Sequence, residues 1–233
     1  MRIMTYNVQS GRDAWGQLHL DGTTEMIRRA APDICGLNEI RVHCEDSGQV
    51  DQAAYLSEQT GLEARFAKAI PMSSGEYGVA LLSKYPISDF TVHPVPDVPM
   101  EQREEGYYES RVIYRARVET PEGPLAVYGT HFGLMKGERE NAVKLLKDLI
   151  SKETLPLVFM GDLNMEPNDA LIVEIEQQLY NTIKPVPEFT HHTLNLHGTI
   201  DYIFVRGLTA TQASTLFSTA SDHLPVLTEA HIG

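Results

Sequence analysis

Three polar segments in the last third of the chain constrain its fold more than any other feature. Each sets carboxylate, amide or imidazole groups beside an apolar, strand-like stretch: Gly161-Asp162-Leu163-Asn164, Ile200-Asp201-Tyr202-Ile203-Phe204 and Ser221-Asp222-His223-Leu224-Pro225. In such segments the apolar residues pack within a sheet and the polar residues project from its edge. Because the segments lie far apart in sequence, only a folded sheet could bring their polar groups together. We therefore expect a hydrolytic site at a sheet edge.

The order of strand-like and helix-like patterns predicts two sheets. Strands are predicted over 3–8, 33–40, 63–69, 77–83, 87–93, 111–119, 125–131, 156–160, 200–205, 209–214 and 225–231, and helices over 23–31, 52–60, 138–151 and 169–179. Strands with helices interspersed among them favour an α/β (α+β) fold of two packed sheets with helices outside. No break in composition marks a linker, so residues 1–233 are expected to form a single domain.

The charge of the chain favours a small substrate over a nucleic acid. The formal net charge is −13, and the 19 basic residues are scattered along the sequence. A protein that binds nucleic acid through its phosphates needs clustered lysine and arginine. A nuclease is not excluded by this, since only the local cleft must be favourable. Bound divalent cations would offset part of the acidic field.

Neither a membrane span nor a disulfide is expected. No apolar run approaches the roughly 20 residues that cross a bilayer, and the first residues form a strand pattern rather than a secretory signal. A cytoplasmic location is the resulting expectation, and the sequence indicates no oligomeric state. Cys35 and Cys44 are the only cysteines. Cys35 is expected to be a buried free thiol, and no paired cysteine spacing suggests zinc.

Two upstream residues are candidate metal ligands. Asn7 ends the first strand, where an asparagine either faces a site or forms a turn. Glu39 ends an apolar strand, where a charge is costly unless it is paired or metal-bound, and Arg41 is its alternative partner. Together, carboxylate and amide oxygens suit Mg²⁺ or Mn²⁺ rather than zinc.

The downstream candidates also have simple structural alternatives. His131 closes a buried strand, where a histidine is commonly a core residue. Asp162 and Asn164 are two residues apart, so they point to the same side if the strand stays extended, or else they cap a turn. Asp201 opens an apolar strand and could orient a histidine.

Asp222 and His223 precede a Leu-Pro pair that keeps the backbone extended, with a capped turn as the alternative. The simple alternatives would all have to hold separately at six places in the chain. That joint requirement favours one shared site.

The motifs, taken in order, resemble those of the endonuclease/exonuclease/phosphatase family, which includes deoxyribonuclease I, exonuclease III, abasic-site endonucleases, deadenylases, neutral sphingomyelinases and inositol polyphosphate 5-phosphatases. They are Thr5-Tyr6-Asn7, Gly36-Leu37-Asn38-Glu39, Gly78-Val79-Ala80-Leu81-Leu82-Ser83-Lys84, Thr130-His131, Gly161-Asp162-Leu163-Asn164, Ile200-Asp201-Tyr202-Ile203-Phe204 and Ser221-Asp222-His223. The resemblance covers essentially the whole chain. It implies a four-layer α/β sandwich, with two mixed sheets face to face, helices outside and the site at one sheet edge.

The resemblance also implies a role for each motif residue. Glu39 would be the principal Mg²⁺ ligand, with Asn7 and Asp222 nearby. The roles near the scissile phosphate would fall as follows: Asp162 orients or deprotonates the attacking water, Asn164 holds the phosphoryl oxygens, His223 paired with Asp201 donates to the developing oxyanion, and His131 contacts the phosphate.

Four features depart from the family pattern or go beyond it. Asn38 stands where the family usually has glutamine. Arg111 is a candidate phosphate-binding residue, or else an exposed strand residue. His191 and His192 could bind a metal, although no third ligand is evident at a suitable spacing. The aperiodic segment 94–109 is either a solvated connection or a substrate-facing loop.

The sequence as a whole predicts a Mg²⁺-dependent hydrolase of phosphate esters (Mn²⁺ being an alternative ion), a phosphodiesterase or phosphatase acting on a small or lipid-derived substrate. An endonuclease or exonuclease acting on DNA or RNA is the alternative, which the net charge does not favour. A non-catalytic binding module is the second alternative. Against it stand five residues that a dead site has no reason to retain together: Glu39, Asp162, Asn164, Asp201 and His223.

Overall fold

The computed structural model describes residues 1–72, 74–184 and 188–233, and within them strands alternate with helices. The strands are β1 (Arg2–Asn7), β2 (Ile34–Val42), β3 (Glu63–Met72), β4 (Gly75–Ser83), β5 (Ile87–Pro94), β6 (Val112–Thr120), β7 (Gly123–His131), β8 (Leu157–Asp162), β9 (Tyr180–Asn181), β10 (Asp201–Arg206), β11 (Leu208–Ala210), β12 (Ser214–Thr215) and β13 (Val226–Ile232). The helices are α1 (Leu20–Ala30), α2 (Gln52–Thr60), α3 (Lys136–Ser151) and α4 (Ala170–Glu176).

The strands form two mixed sheets, as the sequence predicts. The first sheet has the order β11-β13-β1-β2-β4-β3, with β12 also paired to β13, and the second has the order β5-β6-β7-β8-β10-β9. In each sheet one central pair is parallel, β1 with β2 in the first and β7 with β8 in the second. The remaining pairs are antiparallel.

Alternating side chains of the central strands bury both faces of the first sheet. Ile3 and Ile34 belong to the core shared with the second sheet. Met4 and Cys35, one residue further along, pack instead with buried residues of α1 and α2. This period of two is the geometry of a strand covered on both sides. Helices α3 and α4 pack against the second sheet, and the molecule is therefore a four-layer sandwich.

The topology brings several strand ends to one edge. Strands β1, β2, β7 and β8 run towards this edge, and β10 begins there. Strand β13 begins shortly after the segment that carries Asp222 and His223. The register places Asn7 opposite Asn38 in the first sheet, and Asp162 opposite both His131 and Asp201 in the second. Residues distant in sequence thereby become neighbours at this edge.

Several predicted elements differ in extent from the observed ones. Helix α1 begins at Leu20, three residues before its predicted start. Helix α4 ends at Glu176, three residues before its predicted end. The Asp169 carboxylate caps its N-terminus by accepting the Leu171 N–H at 2.9 Å. The strand predicted over 209–214 is split into β11 and β12, because the Ala213 N–H bonds to the Thr182 carbonyl at 2.8 Å instead of to β13.

Other expectations about the fold are met. Cys35 and Cys44 are buried free thiols. Segment 94–109 is irregular apart from the end of β5 at Pro94 and a short 3₁₀ turn over Met100–Gln102. Among the described residues, no helix is both long and apolar enough to cross a membrane.

Candidate active site

Asn7 joins two carboxylates at the edge where the sheets meet. Its Nδ2 donates to Glu39 Oε1 at 3.1 Å and to Asp162 Oδ2 at 3.0 Å. Its Oδ1 accepts the backbone N–H of Gln9 at 3.0 Å, so the turn-forming alternative holds as well. One buried amide therefore holds acidic groups from both sheets close together.

Glu39 is directed into this cluster by a bulge in β2. The pairing of β2 with β4 shifts register between Leu37 and Ile40, and Glu39 has a φ of 62°, in the left-handed region that non-glycine residues rarely adopt. The expected alternative, a salt bridge to Arg41, is wrong because Arg41 pairs with Asp46. Burial raises the pKa of the Glu39 carboxyl above its usual value.

Of the two arrangements expected for Asp162 and Asn164, the turn is observed and the extended strand is not. Strand β8 ends at Asp162, whose Oδ1 accepts the Asn164 N–H at 3.0 Å, and Asn164 has a φ of 51°. The pair forms a tight turn of the kind that asparagine and aspartate favour. The turn nevertheless brings Asn164 Nδ2 within 3.2 Å of His131 Nε2 and 2.9 Å of the Phe132 carbonyl.

Gly161 allows Asp162 to lie beside His131. It has a φ of 149°, and a Cβ at this position would lie 2.0 Å from the Thr130 carbonyl oxygen of the neighbouring strand. Only glycine fits so close an approach between backbones. The glycine of this motif is therefore needed by the packing of β7 against β8.

His131 is buried among polar groups rather than among apolar core residues. Its Nε2 lies 3.4 Å from Asp162 Oδ2, and its Nδ1 lies 3.4 Å from the Tyr77 hydroxyl. Burial and the positive charge of Arg111 lower the pKa of His131 well below its usual value. The ring is therefore neutral near pH 7, with one nitrogen donating and the other accepting.

His223 lies between two buried carboxylates. Its Nδ1 is 2.8 Å from Asp201 Oδ2, and its Nε2 is 3.7 Å from Asp162 Oδ2. Burial lowers the pKa of His223, but the charge and hydrogen bond of Asp201 outweigh it and raise this pKa to about 10. Burial, followed by the charge of Asp201, raises the pKa of Asp162 to about 7. The ring is therefore an imidazolium at neutral pH, facing a carboxyl that titrates there.

Ser221 and Gln9 fix the loop that carries Asp222 and His223. The Ser221 hydroxyl donates to the Asn7 carbonyl at 2.7 Å and accepts the His223 N–H at 3.2 Å. The Asp222 N–H donates to Gln9 Oε1 at 3.2 Å. Neither Ser221 nor Gln9 was predicted to be functional. The serine belongs to a recognisable motif, whereas Gln9 carries no signal in the sequence.

Arg111 is buried, so the alternative of an exposed strand residue is wrong. Only 7% of it is exposed, and its guanidinium pairs with Glu109 Oε1 at 3.0 Å. It lines a narrow gap together with Tyr77 and His131. Tyr77, which the sequence did not identify, thus contacts the site from β4.

His191 has two metal-ligating neighbours that its sequence spacing does not reveal. Donor atoms of His191, Asp222 and His223 all lie within 4.8 Å of one another. Asp222 and His223 thus stand near His191 as further potential ligands, which no spacing in the sequence made evident. His192 does not belong to this group.

The acidic groups at the edge fit a hard divalent cation. Glu39 and Asp162 converge on the single amide nitrogen of Asn7, and Asp222 adds a third carboxylate close to His223. Carboxylate oxygens of this kind are the ligands that Mg²⁺ and Mn²⁺ prefer. A bound cation would also offset the mutual repulsion of these charges.

Comparison with known proteins is consistent with this arrangement. Structures that resemble the fold include that of an endonuclease/exonuclease/phosphatase from Beutenbergia cavernae DSM 12333, with a TM-score of 0.83 and 20% identity over 100% of this chain and 72% of that one. Another is the mannosyl-6-phosphatase of Bacteroides thetaiotaomicron VPI-5482, with a TM-score of 0.77 and 17% identity over 99% of each chain.

Sequence comparison extends over the same length. The uncharacterized protein YbhP of Escherichia coli (strain K12) is 21% identical over 251 residues, which cover 99% of this chain and 96% of YbhP. The family model described as "Endonuclease/Exonuclease/phosphatase family" matches residues 4–223. Motifs, fold and family match agree, and the chain belongs to the endonuclease/exonuclease/phosphatase family.

Proposed function

We propose that this chain hydrolyses phosphate esters with the help of a bound divalent cation, and that its substrate is a small or lipid-derived phosphate compound. One observation carries the proposal above all. A buried histidine, His223, is held by Asp201 and faces a second buried carboxylate, Asp162, across 3.7 Å. An acid and a base thus lie side by side at the edge of the sandwich.

Asp162 is suited to activate the attacking water. A general base works best when its pKa lies near the working pH, and the pKa of Asp162 is about 7. Its two oxygens are held in place, Oδ2 by Asn7 and Oδ1 by the Asn164 N–H. Its orientation is therefore fixed before a substrate arrives.

His223 is suited to donate a proton or a hydrogen bond to the oxygen on which charge develops. Asp201 accepts from Nδ1 and so directs Nε2 towards Asp162. Because the ring is positively charged at neutral pH, Nε2–H would stabilise the developing anion electrostatically. Asp201 acts through His223, as a positioning residue.

Asn164 and His131 are suited to hold the phosphoryl oxygens. Asn164 Nδ2 and His131 Nε2 lie 3.2 Å apart and next to Asp162. Arg111 contributes positive charge behind His131, where its guanidinium is shielded from water. This cation would attract an anionic substrate into the site.

Glu39 and Asp222 would hold the cation, with Mg²⁺ or Mn²⁺ as the ions suited to oxygen ligands, and Asn7 would keep Glu39 in place through its Nδ2. When bound, it would supply positive charge to the phosphate oxygens.

The charge of the chain favours small substrates over nucleic acids. The chain has a net charge of −13 and no cluster of basic residues in its sequence. Double-stranded and single-stranded nucleic acids are commonly held by such clusters. The fold is also that of a mannosyl-6-phosphatase, which makes a sugar phosphate a useful first test compound.

A hydrolysis panel tests the proposal. Wild-type protein and Asp162→Asn would be assayed with Mg²⁺ or with EDTA on a sugar phosphate, a phosphodiester, a phospholipid head-group ester, an abasic-site duplex, and single-stranded DNA and RNA. Asp148→Asn, on the exposed face of α3, is the matched control. Metal-dependent turnover of the small or lipid esters, lost only in Asp162→Asn, is expected. Turnover confined to nucleic acids would show a nuclease instead, and turnover of nothing would refute catalysis.

A further inference from the structure

His191 provides an imidazole beside the candidate active site that the proposed reaction does not use. It lies on the loop before β10, and its ring centroid is 4.6 Å from that of His223. Among the described residues, neither of its ring nitrogens has a hydrogen-bond partner. A half-buried imidazole with both nitrogens free, close to a second imidazole and a carboxylate, has the features of a metal ligand.

The backbone fixes His191 relative to the loop that carries Asp222 and His223. The Thr193 N–H donates to the Asp222 carbonyl at 2.7 Å, and the Leu224 N–H donates to the Thr190 carbonyl at 2.7 Å. These bonds flank His191 on one segment and His223 on the other. The three potential ligands therefore have little freedom to drift apart.

We propose that His191, Asp222 and His223 form a second metal site, for a transition-metal ion of the Zn²⁺ type, which shares Asp222 with the oxygen-ligand site at Glu39. Two imidazoles and one carboxylate match the ligands of Zn²⁺ and neighbouring first-row ions, whereas Mg²⁺ prefers oxygen alone. Three protein ligands leave the fourth tetrahedral position for water.

The geometry requires only small side-chain movements. Ligand atoms of a tetrahedral zinc ion lie about 3.4 Å apart, given bonds of roughly 2.0–2.1 Å, and the three donor atoms here lie within 4.8 Å of one another. Side-chain rotations that move the donor atoms by about an ångström would close the site.

Asp201 already provides the outer support that such a site needs. Metal-binding histidines commonly donate their second ring N–H to a carboxylate, which fixes the ring orientation. His223 has this arrangement, because its Nδ1 lies 2.8 Å from Asp201 Oδ2. With Nδ1 engaged, Nε2 is the nitrogen that remains for a metal ion.

Occupation of this site would inhibit the enzyme. A metal ion binds Nε2 only once the Nε2 proton has passed to solvent, so the proton donor is lost, and the ion shares Asp222 with the Mg²⁺ ligands. Zn²⁺ would therefore compete with catalysis while Mg²⁺ supports it. This inhibitory consequence rests on the proposed function, whereas the binding site does not.

Metal binding can be measured without turnover. Untagged, metal-stripped protein would be titrated with Co²⁺ in excess Mg²⁺, following the visible absorption of tetrahedral cobalt, and then with Zn²⁺ as competitor. We expect one Co²⁺ per chain, displaced by Zn²⁺, and binding weakened in His191→Ala by more than about tenfold, since losing a ligand costs at least as much as losing an outer partner. His191→Gln provides a second variant, and the exposed His231→Ala is the matched control. Circular dichroism verifies that each variant is folded.

Equal Co²⁺ affinity in wild type and folded His191 variants would overturn the proposal, as would the absence of Co²⁺ binding in the wild type. In the panel assay, the Zn²⁺ concentration for half-inhibition should rise in His191→Ala by the same factor as the dissociation constant. If no ester is hydrolysed at all, the proposed function fails, while the cobalt titration still decides whether the site exists.

Discussion

The Asn38 side chain accepts a hydrogen bond from the backbone N–H of Asp162 at 3.2 Å, across 124 residues of sequence. Its Nδ2 donates at the same time to the Thr130 carbonyl in β7. Asn38 is only 2% exposed, so both bonds are shielded from water. One amide of the first sheet thus supports the end of β8, where the proposed base is located.

Replacing Asn38 by alanine should destabilise the protein and reduce its activity. The buried Asp162 N–H and Thr130 carbonyl would each lose a partner, which costs about 1–3 kcal/mol of unfolding free energy per group. Asp162 would also lose its backbone support, so kcat should fall. Urea unfolding and the ester assay would measure both effects, with the exposed Gln177→Ala as control. Unchanged stability and activity in Asn38→Ala would contradict this supporting role.

The sequence predicted the strand ends that supply the site, but not the contacts between sheets. Asp162 and Asp201 could be placed because each lies at one end of an apolar strand pattern, which is a local property. Nothing local indicates that Asn7 bonds to acids on both sheets, since that depends on how the sheets pack. At Asn164 the sequence left an extended strand and a capped turn open, and the turn forms because the Asn164 N–H bonds to the Asp162 carboxylate.

The extent of short elements was similarly hard to predict. The segment containing Ala213 has the composition of a strand, but the Ala213 N–H bonds to the carbonyl of Thr182, which follows β9 of the other sheet. Tertiary partners decide such cases, because single residues at sheet margins have no strong preference of their own. The position of His191 beside His223 is another product of tertiary packing.

Asp162→Asn should reduce kcat by about 10²–10⁴, the usual contribution of a general base. In the wild type, the rate should rise with pH through about 7, because the carboxyl must lose its proton to act. The variant should lack this acidic limb. A pH–rate profile of both proteins would show it. A wild-type profile that is flat around pH 7, or a variant that retains the limb, would exclude Asp162 as the base.

Asp201→Asn should move the alkaline limb of the rate profile to lower pH. The pKa of His223 is about 10 in the folded protein against 6.5 for an ordinary histidine, and Asp201 is the main cause of the increase. Removing that charge lowers the pKa of His223, so the proton donor is lost at a lower pH. An alkaline limb unchanged in Asp201→Asn would contradict the assigned pairing.

The same pair makes folding stability depend on pH. Because the folded pKa of His223 is raised, its contribution is fully present below 6.5 and is lost as pH rises through about 10. Wild-type unfolding free energy should therefore fall across this window, and it should fall less in Asp201→Asn. Urea unfolding at several pH values would measure the difference. Parallel curves for the two proteins would argue against a charged pair.

Glu39→Gln should weaken the response to Mg²⁺ without unfolding the protein. EDTA should abolish wild-type turnover, and the Mg²⁺ concentration for half-activation should rise by roughly tenfold or more in the variant. Mg²⁺ should also raise the melting temperature of the wild type more than that of the variant, because an ion stabilises the folded protein only to the extent that it binds it. The exposed Glu229→Gln is the control. Identical Mg²⁺ dependence in all three proteins would remove Glu39 from the metal site.

Shortening the loop within residues 100–106 should change substrate preference more than metal dependence. The loop is anchored beside the site at its base, where the Val95 N–H donates to the Arg111 carbonyl at 2.9 Å and Glu109 pairs with the Arg111 guanidinium. Met100, within this stretch, is 74% exposed, so an apolar group is presented to solvent there.

Loss of such a contact with one substrate and not with another would change the ratio of their kcat/KM values by about tenfold, equivalent to 1.4 kcal/mol. The Mg²⁺ concentration for half-activation should stay the same, since Glu39 and Asn7 lie on β2 and β1. Val173→Ser, on the exposed face of α4, controls for the loss of a surface apolar group. If every substrate in the panel kept its rate after shortening, the loop would be only a solvated connection. A change in Mg²⁺ dependence alone would show instead that the loop supports the metal site.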